Sequence, residues 1–316
     1  MKRVRKKKDI DFIFASSSIN VRENRSPLRD TISRVTAAET YAEAMKIFCE
    51  SGLDDGSGDF MSSLDKQSEG LYDFLKEVTD SNSEPIISYM NARQEVLELK
   101  TAVKTQVFAE EKPVTGGERA AKYSAMAAKG DFSGLESGIL AEAAEKALVE
   151  ASGSRDPQAV DLILDRALYE YRRDIASHSG IDYLSTVCKN DVDIKNLCTA
   201  FRLRRRKSVP EDISAFFYDG GAIRTEALAE FVKEPEAAAE ALKASDYGAV
   251  ALKLASEDAA PSECEKVLEE KYYAELAKVK DDIFGSGKVV AYAILYEKWL
   301  CDLRLLLTAK KVGKAI

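Results

Sequence analysis

The stretch FGSGKVV, Phe284 to Val290, sets two glycines and a lysine where a chain could cradle a phosphate. A phosphate loop needs four residues between its first Gly and the Gly-Lys pair, then a Ser or Thr to hold magnesium. Here one residue separates Gly285 from Gly287, and Val289 follows Lys288. The residues instead predict a turn before a helix, because Gly supplies the positive φ that turns require. VTGGERAAKY, Val114 to Tyr123, fails the same test. His178, in ASHSG, is the only histidine, and the cysteines at 49, 188, 198, 264 and 301 form no CxxC pair. Together they do not make a zinc site. With no nucleophile motif beside it, His178 reads as a surface or loop residue. The acidic pairs Asp54–Asp55 and Asp281–Asp282 fall in or near turn-like stretches, and nothing marks them as an acid/base couple. The expectation is a chain with no catalytic residue, no cofactor and no metal. The odd number of cysteines reads as buried thiols in a reducing, cytoplasmic compartment.

A second chemistry-bearing stretch is IKNLCTAFRLRRRK, Ile194 to Lys207, which ends in Arg202, Arg204, Arg205, Arg206 and Lys207. Clustered cations can neutralise phosphates or meet an acidic protein surface. The chain carries 46 basic and 54 acidic residues, a net charge of −8, so its overall field opposes a nucleic acid. No aromatic ladder or groove-reading motif accompanies the arginines. Cations at a helix C-terminus also complement the helix dipole, by roughly 0.3–1 kcal/mol each, but one or two suffice. The excess makes Arg202 to Lys207 a candidate interface for an acidic protein partner. A helical adaptor or RNA-associated protein using this cluster is the alternative.

Helices must position these residues. Ala, Glu, Leu and Lys are abundant, while Gly and Pro number 17 and 7, a balance that favours helix over strand. No alternating apolar–polar run is long enough to propose a sheet. DPQAVDLILDRALYEYRRDIAS opens with Asp156 as cap and Pro157 just inside. SPLRDTISRVTAAETYAEAMKIFCES carries apolar residues at helical spacing after Ser26 and Pro27. SGLESGILAEAAEKALVEAS and RTEALAEFVKEPEAAAEALKAS keep the same period. Turn signals fall at DDGSGDF, KPVTGGE, SHSG, SVPED, YDGGA and FGSGK. The longest apolar run, Val289 to Tyr296, is far short of the ~20 residues a bilayer needs, so no transmembrane segment is expected. The basic start, MKRVRKKKDIDF, lacks the apolar stretch of a signal peptide. It reads as a solvated tail or, alternatively, as weakly attracted to anionic lipid or acidic protein.

Three segments align without gaps: ARQEVLELKTAVKTQV from Ala92, NDVDIKNLCTAFRLRR from Asn190 and YEKWLCDLRLLLTAKK from Tyr296. Val96, Ile194 and Leu300 share a column, as do Leu99, Leu197 and Leu303, and then Val103, Phe201 and Leu307. Spacings of three and four put these columns on one helical face. A polar column holds Glu98, Asn196 and Asp302, with acidic residues upstream (Glu95 and Asp193, or alternatively Asp191 and Glu297) and basic ones downstream (Lys104, Arg202, Lys310). Leu64, Leu164 and Leu268, each followed by an acidic residue, precede the polar column at near-equal distances. This predicts three copies of one helical module, at 1–110, 111–209 and 210–316. The Leu99-to-Leu197 spacing exceeds the ~20–50 residues of a solenoid repeat.

At these residues the chain resembles the C-type subunits of the bacterial and archaeal V/A-type rotary ATPases, the counterparts of the d-type subunits of eukaryotic V-ATPases. The C-terminal VVAYAILYEKWLCDLRLLLTAKKVG supplies the family's Tyr, Glu and Leu-Arg as Tyr292, Glu297, Leu303 and Arg304. DVDIKNL matches its Asp-x-x-Asn-Leu through Asp193, Asn196 and Leu197, and INVRENRSPL resembles its opening through Arg22 and Glu23. Asp302 stands for the usual Asn, Trp299 for an acidic residue, Cys198 in a basic column and Glu98 for Asn. The resemblance implies an all-α funnel of three similar modules with approximate threefold pseudo-symmetry. It implies a non-catalytic part on the cytoplasmic face of the membrane. Its partners would be the central shaft and the membrane rotor ring, with proton or sodium transport linked to ATP hydrolysis or synthesis.

Overall fold

A computed structural model describes residues 8–110, 117–206 and 213–314, side chains 80 and 81 aside. They are helical, with no strand among them. In chain order the helices are α1 (Ile13–Arg25), α2 (Leu28–Ala37), α3 (Tyr41–Glu50), α4 (Phe60–Thr79), α5 (Glu84–Phe108), α6 (Glu118–Lys129) and α7 (Gly138–Ser154). They continue as α8 (Pro157–His178), α9 (Asp182–Arg204), α10 (Thr225–Lys233), α11 (Ala239–Leu242), α12 (Asp246–Ser256), α13 (Pro261–Lys280) and α14 (Ser286–Lys311). Most of the KPVTGGE turn, the whole SVPED turn, most of the basic start and Lys207 lie outside the described residues.

Local chemistry sets the boundaries. Asp156 caps α8 by accepting the Gln158 N–H at 2.8 Å, with Pro157 in the first turn. Ser137 caps α7 through the Leu140 N–H at 3.3 Å. The period read across Ser26 to Ser51 resolves into α2 and α3, because the chain leaves helix at Ala38 and re-enters after Thr40. Thr40 Oγ1 accepts the Glu43 N–H at 3.2 Å while Glu43 Oε2 accepts the Glu39 N–H at 2.9 Å, so each satisfies an orphan donor. Likewise α10 stops just before Pro235, which has no N–H to donate and clashes with the preceding turn.

Packing divides the helices into two units, residues 88–272 and the residues to 87 joined with those from 273. In the first unit, one buried cluster runs through α5, α6, α7 and α8, from Ala92 and Leu99 to Phe132, Ala144 and Leu164. In the same unit α9 packs on α8, α10 and α12, with Phe201 edge-on to Phe231 at 5.5 Å between ring centroids. In the second unit α14 is the hub, touching α1, α2, α3 and α4. Its stretch Val289 to Ala293 is buried at every residue, so this helix is apolar all round and has no solvent face there.

Candidate functional site

The aligned segments lie on α5, α9 and α14, each preceded by another long helix: α4, α8 and α13. Val96, Leu99, Val103, Leu197, Phe201, Leu300, Leu303 and Leu307 are buried, and Ile194 is partly buried. The basic side chains beside this face follow one pairing rule. On α5, Lys100 Nζ lies 2.8 Å from Asp165 and 3.5 Å from Asp161 of α8, and Lys104 Nζ lies 2.7 Å from Asp161. On α14, Arg304 Nη2 lies 2.6 Å from Asp65 of α4. Asp65 and Asp165 directly follow the matched Leu64 and Leu164. On α9 the position matching Lys100 and Arg304 is Cys198, and the pair forms one turn on. Arg202, which matches Lys104, lies 2.5 Å from Glu265 of α13, which matches Asp161. Burial, and then the Glu265 carboxylate, push the Cys198 thiol up to about 12. The pairing therefore runs α5 to α8, α9 to α13 and α14 to α4.

The acidic and polar columns do a second job. Glu95 accepts the Tyr123 hydroxyl at 2.9 Å, and Glu98 takes Arg119 through two bonds of 2.6 and 2.8 Å, both partners on α6. Asp193 Oδ1 accepts the Ile223 N–H at 3.1 Å, and Asn196 exchanges two 2.8 Å bonds with the Tyr218 backbone. The clamped loop comes so close that a Cβ on Gly221 would stand 2.2 Å from Asp193 Oδ1. Burial raises the carboxyls of Glu95 and Asp193. In both helices these positions tie the following segment back onto the long helix, and Asp193–Asn196 is a backbone clamp. On α14, Trp299 takes this position with the Arg29 guanidinium of α2 over its ring at 5.4 Å, and Asp302 pairs with Lys298 of its own helix. Both positions depart from the pattern of α5 and α9, keeping a contact while changing its chemistry.

The candidate basic interface is partly engaged within the chain. Arg202 holds Glu265. Arg205 lies 2.9 Å from the Asp258 carboxylate and donates to the Asp258 and Ala259 carbonyls at 2.6 and 3.3 Å, bracing the turn that follows α12. The Arg204 guanidinium sits 5.3 Å over the Phe231 ring, its Nη1 buried without a hydrogen-bond partner. A cavity of about 80 Å³ opens beside Arg204 and Arg205. Arg206 is exposed and has no ion pair among the described residues.

The glycine-lysine turn has a structural occupation. Lys288 is 4% exposed, and its ammonium donates to the Asp282 carbonyl at 2.8 Å, closing the turn on itself. Gly285 has φ +131°, which only glycine adopts readily, and precedes α14 as a helix cap. Nearby, Arg22 donates to the Gly70 carbonyl at 3.1 Å and lies over the Phe74 and Tyr296 rings at 4.5 and 5.4 Å. Glu23 meets the buried Lys280 at 2.7 Å. His178 is exposed at the end of α8 against Asp174. Cys188, Cys198 and Cys264 are buried, whereas Cys49 and Cys301 are exposed, which corrects the expectation of five buried thiols. No group of three metal-ligating side chains stands together among the described residues.

One polar centre escaped the sequence reading. Tyr89 donates to Asp191 at 2.5 Å, and Arg172 lies 4.6 Å over the Tyr89 ring while its Nε bonds the Tyr89 carbonyl at 3.2 Å. The three residues come from α5, α8 and α9 and form no local motif. A signal was present only in Tyr89, a polar residue close to Ile86, Ile87 and Met90, whereas Arg172 stands in the charged run Glu170 to Asp174 and only packing reveals its burial.

A family model described as the ATP synthase (C/AC39) subunit matches residues 16–314. No curated protein matches the chain.

Proposed function

The chain belongs to the ATP synthase (C/AC39) subunit family, and from that premise we propose that it is a non-catalytic central-stalk subunit of a V/A-type rotary ATPase. It couples the rotor shaft to the ion-translocating membrane ring, as a peripheral part on the cytoplasmic face. No described helix is long and apolar enough to cross a membrane, in keeping with a part that binds a ring from outside the bilayer. The observation that carries the reading is the pairing of α5 with α8, α9 with α13 and α14 with α4. It supports three modules, 1–110, 111–209 and 210–316, linked head to tail and back to the start as a funnel with approximate threefold pseudo-symmetry. A socket that transmits torque must resist shear, and buried apolar columns flanked by repeated ion pairs and backbone clamps supply that stiffness. Of the basic cluster, Arg206 is exposed, and together with Lys207, which follows it in sequence, it would meet an acidic partner surface.

The test is affinity purification of the tagged chain from native membranes, followed by reconstitution. Shaft and ring subunits should co-purify. A complex rebuilt without the chain should still hydrolyse ATP but move no ions. Recovery of the chain with an unrelated assembly, or ion pumping that persists without it, would reject the proposal.

A further inference from the structure

We propose that the cavity between the end of α9 and the turn after α12 binds a single phosphate-type oxyanion through Arg204 and Arg205. The inference does not rest on the rotary-complex reading. The cavity, of about 80 Å³, has its charged walls in Arg204, Arg205 and Asp258, while the small Ala255 and Ala259 leave it open. One water needs only about 10–15 Å³, so a group of several heavy atoms fits. Two guanidiniums and one carboxylate line it, which leaves one positive charge over. Asp258 is engaged by Arg205 at 2.9 Å. Arg204 has no ion pair among the described residues, and its Nη1 is buried without a hydrogen-bond partner. The guanidinium instead lies over the Phe231 ring at 5.3 Å, and a ring face attracts a cation without offering it an oxygen. Burial pulls the Arg204 pKa down, against the opposing effect of Asp258. A charged donor withdrawn from water with no acceptor is destabilising until an anion reaches it.

The free donors select the ligand. Arg205 makes its bonds through Nη2, to the Asp258 carboxylate and to the Asp258 and Ala259 carbonyls. That nitrogen fixes the side chain at the rim and leaves Nε and Nη1 over. With the Arg204 fork, these donors belong to two guanidiniums on adjacent residues, which diverge around the helix. A carboxylate has two oxygens in one plane and saturates one guanidinium. A phosphate group presents three strong acceptor oxygens in different directions, so it serves both. Arg206, exposed and next in the chain, adds to the local positive field, and Asp258 opposes it. Free phosphate and phosphate carried on a nucleotide share this chemistry.

The experiment is equilibrium dialysis of the full chain against radiolabelled inorganic phosphate, with ATP as a second probe. Phosphate should bind saturably, one per chain, and more weakly as salt is raised. Arg204→Gln should weaken binding about tenfold or more, through loss of a charge-assisted hydrogen bond. Arg204→Lys keeps the charge without the planar fork and should weaken it as well. Asp258→Asn should tighten binding by removing the opposing carboxylate. That variant keeps the test open if Arg204→Gln misfolds, since Asn tolerates the φ of +53° at this position. Binding of ATP but not of free phosphate, lost in Arg204→Gln, would uphold the site and assign its phosphate to a nucleotide. Binding of either probe that is unchanged in both Arg204→Gln and Asp258→Asn would overturn the proposal. So would failure of both probes to bind, which would leave the cavity to water.

Discussion

At the scale of the residue, burial decides both kinds of column. Leu197 and Leu303 have no exposed surface, so Leu197→Ala or Leu303→Ala removes apolar contact and leaves a cavity. Each should lower unfolding stability by about 2–5 kcal/mol in urea titration. The clamping acids behave differently. Burial raises the Glu95 carboxyl above its ordinary 4.5 and that of Asp193 above 3.8, despite the hydrogen bonds each accepts. Both therefore hold a proton more tightly folded than unfolded. Each favours the fold below those ordinary values, and the advantage is lost as pH rises through the folded values. Glu95→Gln and Asp193→Asn keep an oxygen for the Tyr123 hydroxyl and the Ile223 N–H while removing the buried charge. Relative to the unaltered protein, both variants should gain stability as pH is raised from about 4 to about 7, measured by melting across that range. A flat difference would mean that the clamps titrate as they do in the unfolded chain.

At the scale of the element, the pairing rule can be weighed bond by bond. Arg304 and Asp65 are 31 and 67% exposed, so solvent screens them; a double-mutant cycle through Arg304→Glu and Asp65→Arg should give a coupling of about 0.2–1 kcal/mol. Lys100 is 14% exposed and lies between two aspartates, so Lys100→Met should cost more, about 1–2 kcal/mol. The helices themselves were legible in the sequence, because Leu99, Leu197 and Leu303 recur on one apolar face and Asp156–Pro157 marks a start. The break between α2 and α3 was also written there, as Thr40 three residues before Glu43, but the uninterrupted apolar period masks it. The rest was not legible for a physical reason. The partners of Lys100, Arg202 and Arg304 lie on helices distant in sequence, and side-chain type alone does not say which acid a lysine reaches. Cys198 hides the rule further, since the pair it displaces reappears a turn away at Arg202. The exposure of Cys49 and Cys301 was hidden likewise, because cysteine is most often buried and only packing reveals the exceptions.

At the scale of the whole molecule, a chain of net charge −8 would meet an acidic partner, as proposed above, only where its cations are concentrated and unspent. The arginines at the end of α9 are not equivalent in this respect. Arg205 holds the turn after α12 through Asp258 and Ala259, and Arg202 is bound to Glu265, so their charge is largely used inside the fold. Arg206 is exposed, and Lys207 follows it in sequence. Exposed charges are screened over ~8 Å at physiological salt, so a contact made by these two would strengthen assembly at low salt and fade at moderate salt. Two variants separate the roles. Arg205→Gln should lower the melting temperature, since it removes the donor that holds the turn after α12 to the end of α9. Arg206→Gln with Lys207→Gln should leave melting unchanged but weaken binding to the reconstituted shaft or ring and flatten its salt dependence. Were the second variant to bind both partners with unaltered affinity and salt slope, the basic end of α9 would be a helix terminus and nothing more.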